Sequence, residues 1–425
     1  MPDRVNGADA RNWAGNVAFR ATAVHHPTRV EQVQDIVAAA TADGRRVHAC
    51  GSRHSFSTVA DTDGELVSMT KLARVAEIDR EAMTVTVEGG IRYGELSAAL
   101  DSAGLALHNL PSLPHITVAG AVATATHGSG PRNGNLGTAV RSMELVLADG
   151  SLLRLDAGDK RLTGAIVGLG ALGIVVRITL AVEPTFDVAQ TVYRNLPFEA
   201  ALEHLDDVMS AAYSVSLFTD YQRDAVQQVW VKARVGADPD PPGELFGAVP
   251  AEVPLHPVES LSAESCTQQL GIAGSWSDRL PHFRLEFTPS SGAELQSEYF
   301  VARAHAVPAL EAVQSLAVGL DPLLQVSEVR TVCSDELWLS GSFGRDALAL
   351  HFTWIPDQPR VAAFLPRLED ALEAFDARPH WGKLTAIDPA TVRGRYPKWR
   401  DFQDLVATLD PGGSFRNAYL DALLG

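Results

Sequence analysis

The sequence predicts an α+β protein of two domains, one of them built on a large antiparallel sheet flanked by helices. Three observations support this. The 425 residues exceed what one hydrophobic core usually serves. Up to about residue 188, short helices and strands alternate around glycine-rich loops. From about residue 190, long strands of alternating pattern are interleaved with amphipathic helices, the texture of an antiparallel sheet covered on one face.

The elements follow in order. Thr28-Arg29-Val30-Glu31 reads as a capping box, with Thr28 capping and Glu31 reaching back. Val30, Val33, Ile36, Val37 and Ala40 then fall at helical spacing, and Gly44 ends that helix. Arg46 to Cys50 is a short strand. Met83, Val85 and Val87 alternate with Thr84, Thr86 and Glu88 in a half-buried strand closed by Gly89-Gly90. A helix over Tyr93 to Ala103 stops at Gly104. Met143, Leu145 and Leu147 mark a strand that turns at Ala148-Asp149-Gly150 into Leu152 to Leu155. Lys160 to Val167 reads as helical, and Gly173 to Glu183 as an apolar strand ending before Pro184. In the second half the strands are Val229 to Val231, Phe283 to Phe287, Glu298 to Val301, Gln325 to Val332 and Ala347 to Ile355. Helices lie near Ala304 to Val318 and Arg360 to Phe375.

Composition excludes several classes. A net charge of −17 opposes a phosphate-backbone partner, so no nucleic acid is expected. Five lysines (Lys71, Lys160, Lys232, Lys383 and Lys398) stand among 35 basic residues, the rest being arginine. Cys50, Cys266 and Cys333 form neither a CxxC pair nor a disulfide framework, which points to a reducing compartment. Met1 to Gly7 has no signal layout, and no apolar run reaches the roughly 20 residues that span a bilayer. The expectation is a cytoplasmic protein with no membrane partner.

Chemistry is suggested first by Gly51-Ser52-Arg53-His54-Ser55-Phe56, a polar loop after a strand, whose exposed amides can cradle phosphate oxygens. A second glycine-rich segment, Gly120 to Gly130, carries His127. Gly168-Leu169-Gly170-Ala171-Leu172-Gly173 fits G-x-G-x-x-G, yet it runs from a helix into a strand. That polarity is the reverse of a Rossmann turn, so nicotinamide binding by this route is rejected. No GxxxxGK[ST] loop and no HExxH helix exist, and no metal site is expected. Gly341-Ser342-Phe343-Gly344 falls one residue short of a serine-hydrolase elbow. Strand period places His351 and Thr353 on one face beside Ala347 and Ala349, and Glu328 with Arg330 between Val326 and Val332. Charges between valines are costly unless paired or used, which leaves a structural Glu–Arg pair and a working one both open. Arg284 and Glu286 alternate with Phe283, Leu285 and Phe287 as a solvated face would. Lys383 alone reads as a surface lysine. Ser112, between Pro111 and Pro114, sits in a backbone fixed by the proline rings.

Six blocks together carry a resemblance: Asn12-Trp13-Ala14-Gly15-Asn16, Ser112-Leu113-Pro114-His115-Ile116, Thr126-His127-Gly128-Ser129-Gly130, Phe287 to Glu294, Arg378-Pro379-His380-Trp381-Gly382-Lys383 and Phe415-Arg416-Asn417. The chain resembles, over essentially its whole length, the FAD flavoproteins of the vanillyl-alcohol oxidase type and, among them, the bacterial alditol oxidases. The resemblance implies a two-part FAD-binding domain, residues 1–188 completed by 376–425, with a substrate-binding domain at 189–375. It implies FAD attached covalently through His54. No cysteine lies between Cys50 and Cys266 to make a second link. Around the FAD it implies Gly51, Ser52, Arg53, Ser55, Phe56, Ser112, Thr117, Gly120, Thr124, Ala125, Thr126, His127, Gly128, Gly170, Gly173, Ile174 and His380. It implies oxidation of a terminal primary hydroxyl of a polyol, such as xylitol or sorbitol, with dioxygen going to hydrogen peroxide, by a monomer. Lys383, Arg330, Glu328 and His351 are the implied catalytic residues, and Ser112 and Thr353 join them in holding the substrate. Lys383 is the first candidate base, with Glu328 and His351 as alternatives. A flavin dehydrogenase or aldonolactone oxidase using another acceptor is the neighbouring expectation, and a non-catalytic flavin- or sugar-binding protein the more distant one. Two positions depart from the family's pattern: Arg53, where glycine is usual, and Pro111, where oxidases carry a small residue near the flavin.

Overall fold

The computed structural model describes residues 5–6, 11–287 and 293–425. The reading of residues 1–7 therefore falls largely outside the described residues, as do residues 288–292 of the Phe287–Glu294 block. Among the described residues, the first sheet holds β1 (Val5–Asn6), β2 (Ala23–His25), β3 (Val47–Cys50) and β4 (Glu65–Ser68) in the order β1-β2-β4-β3. Helix α1 (Val30–Ala42) buries Val30, Val33, Val37 and Ala40, as its spacing requires. Its entry differs from expectation. Arg29 is the N-cap, and Thr28 donates from both N and Oγ to Gln32 Oε1 at 2.7 and 3.2 Å, so Gln32 makes the reach assigned to Glu31.

The next stretch supplies β5 (Val75–Asp79), β6 (Thr84–Glu88), α2 (Tyr93–Ser102), β7 (Leu105–Ala106), α3 (Val118–Ala123), β8 (Val140–Val146), β9 (Leu152–Asp156), α4 (Leu162–Ile166) and β10 (Ile174–Ala181). Five of these strands form a sheet in the order β5-β6-β10-β8-β9, and β7 pairs with β11 (Glu183–Pro184). The third sheet has nine strands: β12 (Asp187–Pro197), β13 (Ser214–Thr219), β14 (Ala225–Arg234), β15 (Val249–Pro250), β16 (Gly274–Ser275), β17 (Leu295–Ala302), β18 (Leu324–Val332), β19 (Ala347–Trp354) and β20 (Arg378–Pro379). Their order is β15-β12-β14-β13-β18-β19-β17-β20, with β16 beside β12, and every pair is antiparallel.

Period two divides this sheet into two chemistries. Val215, Leu217, Tyr299, Val301, Val329, Leu348, Leu350, Phe352 and Trp354 face one core, which α5 (Phe198–Glu203), α6 (Leu205–Met209), α8 (Ala306–Gln314) and α10 (Gln358–Leu372) close. The other face carries Glu298, Glu328, Arg330, His351 and Thr353. A second core joins Val85, Val87, Leu145 and Ile178 to Trp399, Phe402, Leu420 and Leu423, so α12 (Trp399–Leu409) and α13 (Ala418–Leu424) pack onto the N-terminal half. Val47 N donates to Ser414 O at 2.8 Å, and Asn417 Nδ2 to the carbonyls of Val59 and Asp61.

Two expected elements are corrected. Phe283 to Phe287 is no strand: after a single bridge to Cys266 it runs through turns, with Arg284 and Glu286 exposed and Leu285 and Phe287 only half-buried. Side-chain alternation was present, but the backbone has no strand beside it to pair with. Ala304 to Val318 is not one helix but a 3₁₀ turn, α8 and a separate α9 (Ala317–Leu320), interrupted at Ser315 and Leu316.

Candidate active site

The polar face of the large sheet meets the His54 loop along one continuous cavity. Two chain segments fix that loop. Trp13 N donates to Arg53 O at 2.8 Å, Asn12 Nδ2 to Ser55 O at 2.9 Å and Asn16 Nδ2 to Phe56 O at 3.0 Å. From the C-terminal side, Phe56 N donates to Gly382 O at 2.7 Å and Ser57 Oγ to Trp381 O at 2.7 Å. The amides of Ser52, Arg53, His54 and Ser55 donate to no protein acceptor among the described residues. Such a run of free amides favours an anionic ligand. The His54 ring stacks on Trp13 with centroids 5.2 Å apart, and its buried Nδ1 has no partner among the described residues. Burial, with His115 nearby, lowers its pKa to about 4, so it stands as a neutral imidazole. His115 Nε2 is 2.9 Å from the carbonyls of both Leu285 and Phe287, which makes it the donating nitrogen. These features fit a flavin dinucleotide: free amides for its diphosphate, and an unpaired imidazole nitrogen at the cavity wall.

The polar cluster is one row across three strands. Glu298 on β17 is opposite His351 on β19, which is opposite Glu328 on β18. Lys383, from the loop after β20, places Nζ 2.6 Å from Glu298 Oε2 and 2.6 Å from His351 Nδ1. Arg330 Nη2 donates to Glu298 Oε1 at 2.9 Å and Nη1 to Ser112 Oγ at 3.1 Å. His282 Nε2 donates to Glu328 Oε1 at 2.7 Å. His351 Nε2 is 3.1 Å from Thr353 Oγ1. His127 Nε2 is 3.2 Å from Glu298 Oε1.

Electrostatics follow from this packing. Burial pushes Glu298 and Glu328 up, but the cations and hydrogen-bonding rings around them overcome it. Lys383, His127 and Arg330 hold Glu298 well below the usual carboxylate range, and Arg330 and His282 do the same for Glu328. Burial lowers Lys383, Arg330 adds to the lowering, and Glu298 opposes it. Burial takes His282 and His351 down to about 4, so both are neutral near pH 7. The row thus holds two carboxylates, the Arg330 cation, a lysine whose proton is loosened by burial and by Arg330, and neutral imidazoles, an arrangement suited to binding hydroxyls and taking a proton from one of them.

Of the residues singled out from sequence, Gly51, Ser52, Arg53, His54, Ser55, Phe56, Ser112, Thr117, Gly120, Thr124, Thr126, His127, Gly170, Gly173, Glu328, Arg330, His351, Thr353, His380 and Lys383 line this cavity. Ala125, Gly128 and Ile174 are not on its wall. Lys383 is on the cavity wall with its side chain 13% exposed rather than on the open surface, and the nearest carboxylate to Arg330 is Glu298, not Glu328, whose oxygen is 3.5 Å from Arg330 Nε. Sequence reasoning missed Glu298 and His282. Glu298 lay at the start of an expected strand, but it shares its face with Phe300, and nothing in that strand's own spacing tied it to Arg330 or Lys383. His282 sat beside a stretch misread as a strand.

The composition of this cavity fits an FAD-binding oxidoreductase, and comparison with known proteins gives the same class, the vanillyl-alcohol oxidase type. The FAD binding domain family matches residues 21–156 and the D-arabinono-1,4-lactone oxidase family residues 293–423. Alditol oxidase of a Streptomyces species is 50% identical over 97% of this chain and 98% of its own. L-gulono-1,4-lactone dehydrogenase of Mycobacterium tuberculosis is 31% identical over the same shares. Among solved structures, cholesterol oxidase from B. sterolicum superposes with a TM-score of 0.79 at 16% identity, covering 98% of this chain and 96% of that one, a likeness of fold. The chain belongs to the alditol oxidase family of these flavoproteins.

Proposed function

We propose that this protein oxidises the terminal primary hydroxyl of an alditol, such as xylitol or sorbitol, to the aldose, with dioxygen reduced to hydrogen peroxide. The observation that carries the reading is the meeting of Glu328, Arg330, His351, Thr353 and Lys383 with the His54 loop on one cavity. The 50% identity to an alditol oxidase supports it. Bound FAD supplies the hydride acceptor, and His54 is its covalent tether, the neutral Nδ1 being free to bond. The FAD-binding domain is read as residues 1–188 with 376–425, around the substrate domain.

The chain's own residues supply positioning and proton transfer. Loss of hydride leaves positive charge on carbon unless the hydroxyl gives up its proton. Lys383, its pKa lowered by burial and by Arg330, accepts that proton as the neutral amine. Arg330 stabilises the alkoxide character that develops, one well-placed donor being worth about 3 kcal/mol. Ser112 and Glu328 hold the neighbouring hydroxyl, and His351 and Thr353 the remainder of the polyol. A site so dense in hydrogen-bonding groups rejects deoxy analogues by up to roughly 10⁴-fold.

Anaerobic mixing with xylitol tests the reading: the flavin colour should bleach, and air should restore it. No bleaching by any alditol would overturn it. The protein precipitated in acid should stay yellow, whereas His54→Ala should release its FAD; a colourless wild-type precipitate would remove the tether. A second reading, transfer to another acceptor, is favoured by Pro111, whose ring lines the cavity beside Ser112. Fast bleaching with slow recovery in air would select it.

A further inference from the structure

Every polar group in the row contacts Glu298 or a neighbour of it, yet the reaction proposed above gives Glu298 no part. Its side chain is 1% exposed and is met by three side chains from three separate segments. Lys383 reaches Oε2; Arg330 and His127 reach Oε1. The backbone of the same strand holds the lysine's loop in place: His380 N donates to Glu298 O at 2.9 Å, and Leu384 N to Gln296 O at 2.8 Å. Arg330 is opposite Ala349 on β19, and that small side chain leaves the gap through which the guanidinium crosses to β17. Glu298 also lines the cavity, but with its side chain buried and both oxygens already engaged it is placed to hold its neighbours.

We infer that Glu298 is a positioning residue for the alcohol oxidation, fixing Lys383 and Arg330 together on one side of the reacting hydroxyl. The inference rests on the proposed reaction. The groups facing Lys383 are Glu298 on β17, Arg330 and Glu328 on β18, His351 on β19 and His380 in its own loop. Of these, the carboxylates favour its ammonium form and Arg330 disfavours it. Removing the charge of Glu298 therefore lets Lys383 lose its proton at lower pH. At the same time both cations lose their anchor.

The signature is a pair of changes that general damage does not produce. In Glu298→Gln, the plateau rate of anaerobic flavin reduction by xylitol should fall about 10²-fold. The rising limb of its pH profile should move to lower pH by about one unit or more. Glu298→Asp, which keeps the charge, should lower the plateau while leaving the limb near the wild-type pH. A limb that stays in place in Glu298→Gln, or a plateau within threefold of wild type, would overturn the inference. If Glu298→Gln does not fold, Ala349→Val fills the gap that Arg330 crosses. It should lower the plateau at least tenfold with FAD still bound, and an unchanged plateau would equally overturn the inference. Failure of the wild type to reduce its flavin would instead count against the proposed reaction.

Discussion

At the scale of single residues, the His54 loop turns on the conformation of Arg53. Its φ is +61°, in the left-handed region, where a side chain costs roughly 1–2 kcal/mol and glycine costs nothing. This accounts physically for the glycine usual in relatives, since the loop must reverse there to present four free amides and the His54 ring. Part of the gain from glycine is lost to its greater freedom in the unfolded chain. Arg53→Gly should therefore raise stability by about 1 kcal/mol, read as a higher urea midpoint with unchanged slope; a lower midpoint would contradict this account. Lys383 allows the opposite kind of test. Lys383→Met keeps the stem and removes the amine, taking the Nζ contact from Glu298 Oε2 and from His351 Nδ1 while Arg330 still holds Glu298 and Thr353 still meets His351. Flavin reduction by xylitol should fall by about 10³-fold while FAD stays bound, and turnover close to wild type would exclude Lys383 as the base.

At the scale of elements, the faces of β18 and β19 were legible because strand period alone decides which side chains share a surface. Glu328 with Arg330 and His351 with Thr353 were grouped correctly for that reason, whereas their partners on β17 required knowing which strands are neighbours. The stretch Phe283 to Phe287 failed for a related cause: alternation records which side chains avoid water, not whether a backbone partner exists. What that region does instead is brace the site. Lys232 on β14 is buried and donates to the carbonyls of Arg279, Leu280 and Pro281 at 2.8, 2.7 and 2.8 Å, capping the end of α7 (Trp276–Arg279). The next residue, His282, donates its amide to Ser112 O at 3.1 Å and its ring N–H to Glu328. One lysine thus steadies two groups assigned to the substrate. Lys232→Met should leave the carbonyls of Arg279 and Leu280 without their donor, Pro281 O keeping Thr267 Oγ1 at 2.8 Å, and cost about 3 kcal/mol of stability. It should also raise KM for xylitol about tenfold, with kcat much less affected. Lost stability with an unaltered KM would confine Lys232 to a structural part.

At the scale of the whole molecule, the site is a seam between two cores, and its charges tie the seam to pH. One core lies behind the large sheet, the other joins the N-terminal half to α12 and α13. His282 and His351 project into the space between them with pKa values near 4, against 6.5 in an open chain. Below pH 6.5 the unfolded chain takes up protons that the folded chain refuses, so stability falls as pH falls toward 4. The slope is up to about 1.4 kcal/mol per pH unit for each histidine. Glu298 and Glu328 act in the same direction: held below the usual carboxylate range, they stabilise the fold above about pH 4.5 and lose that contribution as they protonate. The thermal midpoint should therefore decline steadily from pH 6.5 to pH 4, and His282→Gln should flatten the decline because one refused proton is gone. A midpoint level across that window would mean that the seam opens, or takes up protons, without unfolding the chain. The row of charges would then be a hydrated surface rather than the buried junction its geometry describes.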